Sequence, residues 1–451
     1  TFSMTPTGSI IMLAGIYYGA MYGGTITSVL INTPGETASV ITCLDGYPLA
    51  RQGRAGAALG VAAIGSFVGG TIALIGLLLV GPIVAEQALK FGPPENLCLI
   101  LLGLSLVISL LGRSVVKGLV MALLGMMLSM VGMDTFNGTV RFTFGSYNLI
   151  SGLDFIAVSM GLYAMTEVFS NLSQNLTGAQ KIPKIDKMLP HKDEVPIVTK
   201  SILRGSFIGF FLGLIPGLGA AIPAVISYSL EKNLSKHPEK FGTGVIEGVA
   251  GPETANNAYS GGALIPMLTL GLPTSPAMAM LMGAFIIHGV VPGPTLFTEH
   301  PDVVWPVVAS MFIGNVILVI MNLPLANAWA QLSRIPNKYL FPAIVIVCLL
   351  GVYSINYNMF DVQVMIVVGF IAYFVKMAGF PMIPLILTII LGDRLELSLS
   401  QSMTMFRGDI TQIFTRPICV VLLILTAISL LVGILGKRKI KETVGDEEAE
   451  I

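Results

Sequence analysis

Apolar residues run along this chain in blocks long enough to suggest passage through a lipid bilayer. A membrane-spanning helix needs about 20 apolar residues. The main apolar runs extend over Gly56 to Gly81, Val115 to Val131, Leu153 to Phe169, Val303 to Leu323, Leu340 to Val352, Val362 to Lys376 and Ile418 to Leu435. With the shorter or interrupted runs between them, they predict roughly ten to twelve membrane elements. We therefore predict an all-α, polytopic transmembrane helical protein.

Composition supports the same class. Of the 451 residues, 54% are hydrophobic and 11% are charged, whereas ordinary soluble domains carry about 25% charged residues. The 25 basic and 25 acidic residues cancel to a formal net charge of zero, so no overall field points to nucleic acid. The sequence thus predicts a lipid bilayer as the surrounding medium and no nucleic-acid partner.

Basic residues are concentrated in two places. Five lysines lie in or beside the polar segment Asn171 to Pro196, and Lys437, Arg438, Lys439 and Lys441 follow the last apolar run. The positive-inside rule predicts that both places are cytoplasmic. The chain then divides into an N-terminal membrane repeat (1–170), a cytoplasmic linker (171–200), a C-terminal membrane repeat (201–436) and a cytoplasmic tail (437–451).

Proline- and glycine-rich segments interrupt the apolar runs at three points. "NTPGE" (Asn32 to Glu36) and "GLPTS" (Gly271 to Ser275) each follow a glycine pair by a short apolar run. A third segment, "PGLG", comes after glycines at every fourth position, which favour close helix packing. The repeated order predicts two repeats, inverted relative to each other, with discontinuous helices or re-entrant hairpins. The predicted structural breaks are Gly23, Gly24, Pro216, Gly217, Gly219, Gly261 and Gly262.

A break inside a membrane helix favours ligand binding. It frees backbone carbonyls and exposes a helix start with partial positive charge, and such groups persist in lipid only where protein, water or a ligand satisfies them. Two breaks around one midplane site could bind a small cation and hold carboxylates, and Thr33 should then lie near Thr274. The alternative is that these are kinks with packing glycines and no ligand.

The candidate residues follow from this chemistry. Amides and hydroxyls can hydrogen-bond substrate carboxylates without placing a permanent charge in the membrane, and the candidates are Asn32, Thr33, Asn256, Asn257, Thr274 and Ser275. The candidates for ion binding are Pro34, Gly35, Glu253, Gly271 and Pro273, four of them through carbonyl groups. Glu253 either neutralises the ion or caps the start of a half-helix. Asp45, with Arg51 and Arg54, is interpreted as a loop at the membrane surface.

Other function classes have weaker support. An intramembrane enzyme would need a nucleophile and a base that converge, and the sequence shows no such set, no GxSxG elbow and no phosphate-binding loop. A channel would need a continuous polar lining or charged rings, whereas the polar residues are confined to a few breaks. We therefore predict a carrier and no enzyme, with no cofactor. The predicted coupling ion is Na⁺, with H⁺ as the alternative, and no other metal is expected.

Several long motifs carry a resemblance to a known family. "GIYYGAMYGGTITSVLINTPGETASVITCLDGYPLARQGRAGAAL", "FGPPE", "GLIPGLGAAIPAVISY", "EKFGTGVIEGVAGPETANNAYSGGALIPMLTLGLPTSPAMAMLMGA" and "GVVPGP" occur in order. They resemble the large membrane subunit of the tripartite tricarboxylate transporters. The resemblance implies a secondary active transporter subunit that imports citrate-like carboxylates with a cation gradient.

The same resemblance implies partners and a location. The partners would be a small membrane subunit and a periplasmic substrate-binding protein, and the location would be the bacterial cytoplasmic (inner) membrane, crossed many times. The family's first proline-glycine break is not found near the start of this sequence, which begins with Thr1. We therefore expect that a further segment precedes Thr1.

Overall fold

The structure is a computed structural model of the chain, and it describes residues 4–32, 34–111, 114–134, 138–172, 185, 187–216, 218–326, 328 and 337–444. The helices of the first part are α1 (Pro6–Ile31), α2 (Val40–Leu49), α3 (Ala55–Ala88), α4 (Pro93–Leu111), α5 (Val115–Ser129), α6 (Phe155–Met160) and α7 (Thr166–Leu172). Single π-helical turns, Ala50–Arg54 and Gly161–Met165, join α2 to α3 and α6 to α7. Strands β1 (Gly132–Met133) and β2 (Val140–Arg141) pair antiparallel, with Gly132 opposite Arg141.

The second part of the chain is also helical. Its helices are α8 (Val195–Gly213), α9 (Ala221–Leu234), α10 (Glu247–Gly262), α11 (Leu264–Leu270), α12 (Pro276–Ile287), α13 (Leu296–Glu299), α14 (Pro301–Asn322), α15 (Asn337–Asn356), α16 (Met359–Met377), α17 (Ile383–Met405) and α18 (Pro417–Val444). Short 3₁₀ turns cover Tyr147–Leu149, Pro238–Lys240 and Ile410–Thr415.

The helices have the length and composition of membrane elements. Five helical segments within the described residues are long and apolar enough to cross a bilayer, and six shorter helices are apolar as well. Large apolar side chains face outward on these helices, for example Leu79, 66% exposed, and Leu123, 53% exposed. Such outward-facing apolar surface is stable in lipid and costly in water. The prediction of an all-α, polytopic membrane protein is confirmed.

Prolines and hydroxyl residues fix the starts of two helices that frame the candidate site. Pro6 begins α1 after Thr5, whose hydroxyl accepts a hydrogen bond from the Gly8 N–H at 3.2 Å. Pro276 begins α12 after Ser275, whose hydroxyl accepts from the Met278 N–H at 3.3 Å. Proline loses no hydrogen bond in the first turn of a helix, and the hydroxyl cap satisfies a free N–H group.

The chain forms two compact units. The first combines Thr1–Ala88 with Thr177–Pro336, and the second combines Leu89–Leu176 with Asn337–Ile451. Each unit therefore contains a segment from each half of the sequence. The predicted repeat boundaries at residues 170 and 201 concern duplication along the sequence, and they stay a prediction.

Helix α10 is the centre of the first unit. Every residue from Gly248 to Gly262 is buried, although the segment includes a glutamate and two asparagines. Neighbouring helices approach its backbone through glycine. A methyl group on Gly205 would lie 2.5 Å from the Gly251 carbonyl oxygen, and one on Gly213 would lie 2.7 Å from that of Tyr259. The close-packing face predicted for α8 is therefore confirmed.

Ion pairs connect separate elements within the second unit. Arg141 of β2 donates hydrogen bonds of 2.6 and 2.9 Å to the two carboxylate oxygens of Glu396 on α17. Arg416, just before α18, donates at 2.7 Å to Glu95 in the first turn of α4. These bidentate and charge-assisted contacts fix the polar ends of apolar helices.

Candidate functional site

The first break lies between α1 and α2. α1 ends at Asn32, which adopts the left-handed conformation (φ 52°, ψ 34°) and donates its N–H to the Thr27 carbonyl oxygen. The chain then folds back onto α1. The approach is close, since a methyl group on Gly35 would lie 2.5 Å from the Cα atom of Gly24. Asn32, Pro34 and Gly35 are exposed. This close approach of backbone to backbone requires glycine.

The structure corrects the prediction of a break at Gly23 and Gly24. α1 runs through both residues without interruption. Gly24 instead makes room for the returning chain, since a methyl group there would lie 2.9 Å from the Glu36 side chain. Glycine in a membrane helix serves close packing as readily as it serves a break.

The second break repeats the geometry of the first. α11 ends at Gly271, which is also left-handed (φ 65°, ψ 30°), and α12 begins at Pro276. Pro273 follows Gly271 by two residues, as Pro34 follows Asn32. Seven residues separate Gly24 from Asn32 and eight separate Gly262 from Gly271.

The stretch before the second break is divided into two helices. Gly261 and Gly262 end α10, and Ala263 lies between α10 and α11 while keeping helical backbone angles (φ −63°, ψ −23°). Before the first break, α1 is continuous from Gly24 to its last residue, Ile31.

The third break contacts the second. α8 ends at Gly213 and α9 begins at Ala221, so that Pro216 lies in the break, while Gly217 lies outside the described residues. Gly219 has a positive φ of 73° and donates its N–H to the Thr274 carbonyl oxygen at 3.1 Å. The Tyr259 hydroxyl on α10 donates to the same oxygen at 2.8 Å. α10 and two breaks therefore meet at Thr274.

Glu253 joins α10 to both helices that flank the first break. Its Oε2 atom accepts a hydrogen bond from the Thr25 hydroxyl on α1 at 2.5 Å, and its Oε1 atom accepts from the Thr42 hydroxyl on α2. The carboxylate is fully buried. These partners are side-chain hydroxyls rather than the N–H groups of a helix start, so the contacts shown for Glu253 do not include the predicted cap.

Asn256 and Asn257 extend this polar network. The Asn256 amide donates to Glu36 at 3.4 Å, and the Asn257 amide donates to the Ser66 hydroxyl on α3 at 2.8 Å. Asn257 also donates to the Glu253 carbonyl oxygen at 3.0 Å and to Asn256 Oδ1 at 2.6 Å. Both side chains are fully buried. The first break is thereby connected to the middle of α10.

Several buried polar atoms around α10 are left without a partner. Among the described residues, no hydrogen-bond partner is found for Asn257 Oδ1, Thr274 Oγ1 or the hydroxyls of Tyr17 and Tyr18. Buried polar groups are paired in the great majority of cases, so these unpaired atoms are candidates for contact with a ligand or water. A crevice lined in part by Tyr22, Thr25 and Ser66 has room for about one water molecule.

Asp45 is a buried residue of α2, and its interpretation as part of a loop is wrong. It is fully buried and accepts hydrogen bonds from the backbone N–H groups of Gly242, Gly244 and Val245 at 2.8 to 3.1 Å. The Tyr228 hydroxyl donates to it at 2.8 Å. These donors satisfy the carboxylate and hold α2 to the loop that precedes α10.

The structure thus brings together part of the predicted site and adds residues to it. Asn256 contacts the first break, and Glu253 contacts the two helices that flank it. Thr274 contacts the third break. Thr33 lies outside the described residues. The sequence interpretation missed Thr25, Thr42 and Ser66, for which the available signal was a hydroxyl group within an otherwise apolar helix. The substrate and ion roles of all the candidates stay predictions.

Comparison with known proteins identifies the family. The model of the tripartite tricarboxylate transporter TctA family matches residues 1–387. An uncharacterized 52.8 kDa protein in the TAR-I ttuC' 3'region of Agrobacterium vitis is 45% identical over 442 residues, which cover 97% of this chain and 88% of that protein. An uncharacterized protein in the TAR-II ttuC' 3'region of the same organism is 48% identical over 223 residues, 49% of this chain and 92% of that protein. No solved structure matches the chain. The chain belongs to the tripartite tricarboxylate transporter TctA family.

Proposed function

We propose that this chain is the carrier subunit that moves citrate-like carboxylates into the cell with a cation gradient. In this proposal a periplasmic binding protein delivers the substrate and a small membrane subunit completes the transporter. Membership of the TctA family makes the chain a component of a tripartite transporter. The substrate, the cation and the partners go beyond that membership. The carboxylate and the cation rest on the chemistry of the first unit, and the partners rest on the resemblance of the sequence motifs.

One observation carries the proposal. Helix breaks contact α10, a polar helix that is buried from Gly248 to Gly262. Asn256 contacts the first break, Tyr259 contacts the second, and Glu253 contacts a helix beside the first. A soluble ligand can satisfy such groups in the membrane, whereas lipid cannot. Discontinuous helices around a buried polar site are typical of secondary transporters.

The cation is proposed to bind beside Glu253. The hydrogen-bond partners found for this carboxylate are neutral hydroxyls, and burying a charge is costly unless an opposite charge accompanies it. Asn257 Oδ1 is a buried oxygen without a partner among the described residues, and oxygen ligands suit small hard cations. We propose Na⁺ as this ion, with H⁺ on Glu253 as the alternative.

The substrate is proposed to bind between the breaks. Asn32, Asn256, Asn257, Thr274 and Ser275 offer amide and hydroxyl groups there, as does Thr33 in the sequence. The carbonyl groups of Pro34, Gly35, Gly271 and Pro273 are proposed as ligands of the cation. The test is uptake by proteoliposomes that contain the membrane subunits, with the binding protein outside and a panel of labelled carboxylates. Absence of gradient-driven carboxylate uptake would overturn the proposed function.

We expect Asn256→Ala or Asn257→Ala to abolish uptake while the protein still reaches the membrane. Losing a hydrogen bond to a charged group costs about 1.5 to 3 kcal/mol, which corresponds to roughly a 10- to 150-fold loss of affinity. Initial uptake rates over a range of substrate concentrations measure this effect.

Asn315→Ala is the matched control for the asparagine variants. Asn315 is also buried and bridges helices, donating at 2.9 Å to the Phe67 carbonyl oxygen and at 3.0 Å to the Thr71 hydroxyl. Its loss should lower stability and leave substrate affinity unchanged. Wild-type affinity in both the Asn256 and Asn257 variants would remove these residues from the site.

The proposed location in the inner membrane has a topology test. Cysteines introduced at Ser173 and Thr443 should resist a membrane-impermeant thiol reagent added to intact spheroplasts and should react after permeabilisation, because the positive-inside rule places both segments in the cytoplasm. The background should carry Cys43→Ser, since Cys43 is partly exposed whereas Cys98, Cys348 and Cys419 are buried. Labelling of either position from outside would contradict the orientation.

A further inference from the structure

Tyr17 places an unpaired hydroxyl beside the second break. Tyr17 lies on α1 and is 7% exposed. Its hydroxyl lies beside those of Ser260 and Ser275 but makes no well-aligned hydrogen bond with either, or with another described residue. The spacing of the tyrosines in the sequence gave no reason to single it out.

Two more hydroxyl groups lie at the start of α12, on the consecutive residues Thr274 and Ser275. Thr274 is fully buried, and its Oγ1 atom also lacks a partner among the described residues. Ser275 uses a hydroxyl lone pair to cap α12 through the Met278 N–H, which leaves its own O–H free to donate. Tyr17 also lies within electrostatic range of Tyr259, the residue that holds the Thr274 carbonyl oxygen.

The helix start adds a favourable field. α12 runs for 12 residues from Pro276, and the start of a helix carries partial positive charge that favours an anion. Hydroxyl donors at such a start can bind a carboxylate without the desolvation cost of a buried lysine or arginine. A carboxylate accepts several hydrogen bonds at once, and so it matches a set of donors that lack acceptors.

We propose that the hydroxyls of Tyr17, Thr274 and Ser275 together bind one carboxylate group of the transported anion at the start of α12. The inference rests on the proposed function. It assigns Tyr17 of α1 as a substrate-binding residue. Glu36 also lies within electrostatic range of Tyr17. Its charge would oppose the anion, so carboxylate binding here should be tighter once a cation is bound.

Tyr17→Phe tests the proposal with little change of shape. Thermal unfolding of the purified membrane subunits is followed with increasing citrate, succinate or acetate at fixed Na⁺, and separately with Na⁺ alone. We expect the carboxylate concentration needed for half of the stabilising shift to rise by about 10- to 100-fold. The shift caused by Na⁺ alone should keep its wild-type size, which a general structural defect would not allow.

Two matched controls separate the site from the general effect of removing a buried hydroxyl. Tyr163 lies in the second unit, and its buried hydroxyl also lacks a partner among the described residues. Tyr163→Phe should therefore not change carboxylate binding. Thr274→Val should weaken binding as Tyr17→Phe does. Thr269→Val should not, because the Thr269 hydroxyl already donates to the Ile265 carbonyl oxygen at 2.7 Å.

The outcomes distinguish the inference from the proposed function. Wild-type carboxylate binding by Tyr17→Phe, with the wild-type protein responding to citrate, overturns the Tyr17 assignment and leaves the carrier proposal standing. Equal losses of the carboxylate and Na⁺ responses assign Tyr17 a structural role and also overturn the inference. A wild-type protein that responds to no carboxylate, alone or with its partners, overturns the proposed function itself.

Discussion

Replacing Glu253 with glutamine is expected to abolish cation-driven uptake and to leave the fold intact. Glutamine keeps the shape of the side chain, and the Thr25 and Thr42 hydroxyls can each donate or accept, so one can turn to accept from the new amide. The negative charge is lost, and with it the main attraction for a cation. The cation concentration for half-maximal uptake should rise by about 100-fold, as expected for loss of a strong charged interaction.

The measurement is uptake by proteoliposomes under an imposed Na⁺ gradient and, separately, under a proton gradient. Glu239→Gln is the control, because Glu239 is 66% exposed, and its loss should have no effect. The gradient that drives uptake by the wild type but not by the Glu253 variant identifies the coupling ion. Wild-type uptake by Glu253→Gln under both gradients would exclude Glu253 from cation binding.

Gly209→Ala is expected to cause a large loss of stability for a change of a single methyl group. The added methyl group would overlap the Ala255 carbonyl oxygen, and this neighbour is backbone within the buried centre of the first unit. Overpacking costs about 1 to 3 kcal/mol and occasionally more, and a rigid backbone neighbour should place this change at the upper end. The yield of folded protein in membranes and the midpoint of thermal unfolding measure the effect.

Gly314→Ala is the matched control for the helix-packing variant. Gly314 lies inside α14, and a methyl group there would meet no atom within 4 Å. Alanine in place of glycine favours a helix by about 1 kcal/mol, so this variant should be at least as stable as the wild type. Equal stability of the two variants would contradict the close packing of α8 on α10.

The breaks of this fold were predictable because their chemistry is local. Proline lacks an N–H and restricts its neighbours, so the turns containing Pro34, Pro216 and Pro273 could be predicted from short stretches of sequence. The close-packing face of α8 followed from glycine spacing in the same way.

The partners of buried carboxylates could not be predicted, because they come from distant parts of the chain. The backbone donors to Asp45 lie 197 to 200 residues away in the sequence, and a nearby pair of arginines suggested a surface loop instead. Gly24 was misinterpreted for a related reason, since only the return of the chain at Gly35 shows what the glycine accommodates. Glu253 could be predicted as a site residue, but the residues next to it in the sequence did not indicate that Thr25 and Thr42 are its partners.

The interleaving of the two units has a consequence for biogenesis. During synthesis, α1, α2 and α3 enter the membrane long before α10 exists, since Leu89–Leu176 belongs to the other unit. At about 5 to 20 residues per second, Glu253 is synthesised tens of seconds after Thr25 and Thr42, so their hydroxyls lack this acceptor during that time. A polypeptide that ends before Glu247 would lack the carboxylate to which Thr25 and Thr42 donate, so we expect it to be degraded faster than the full chain.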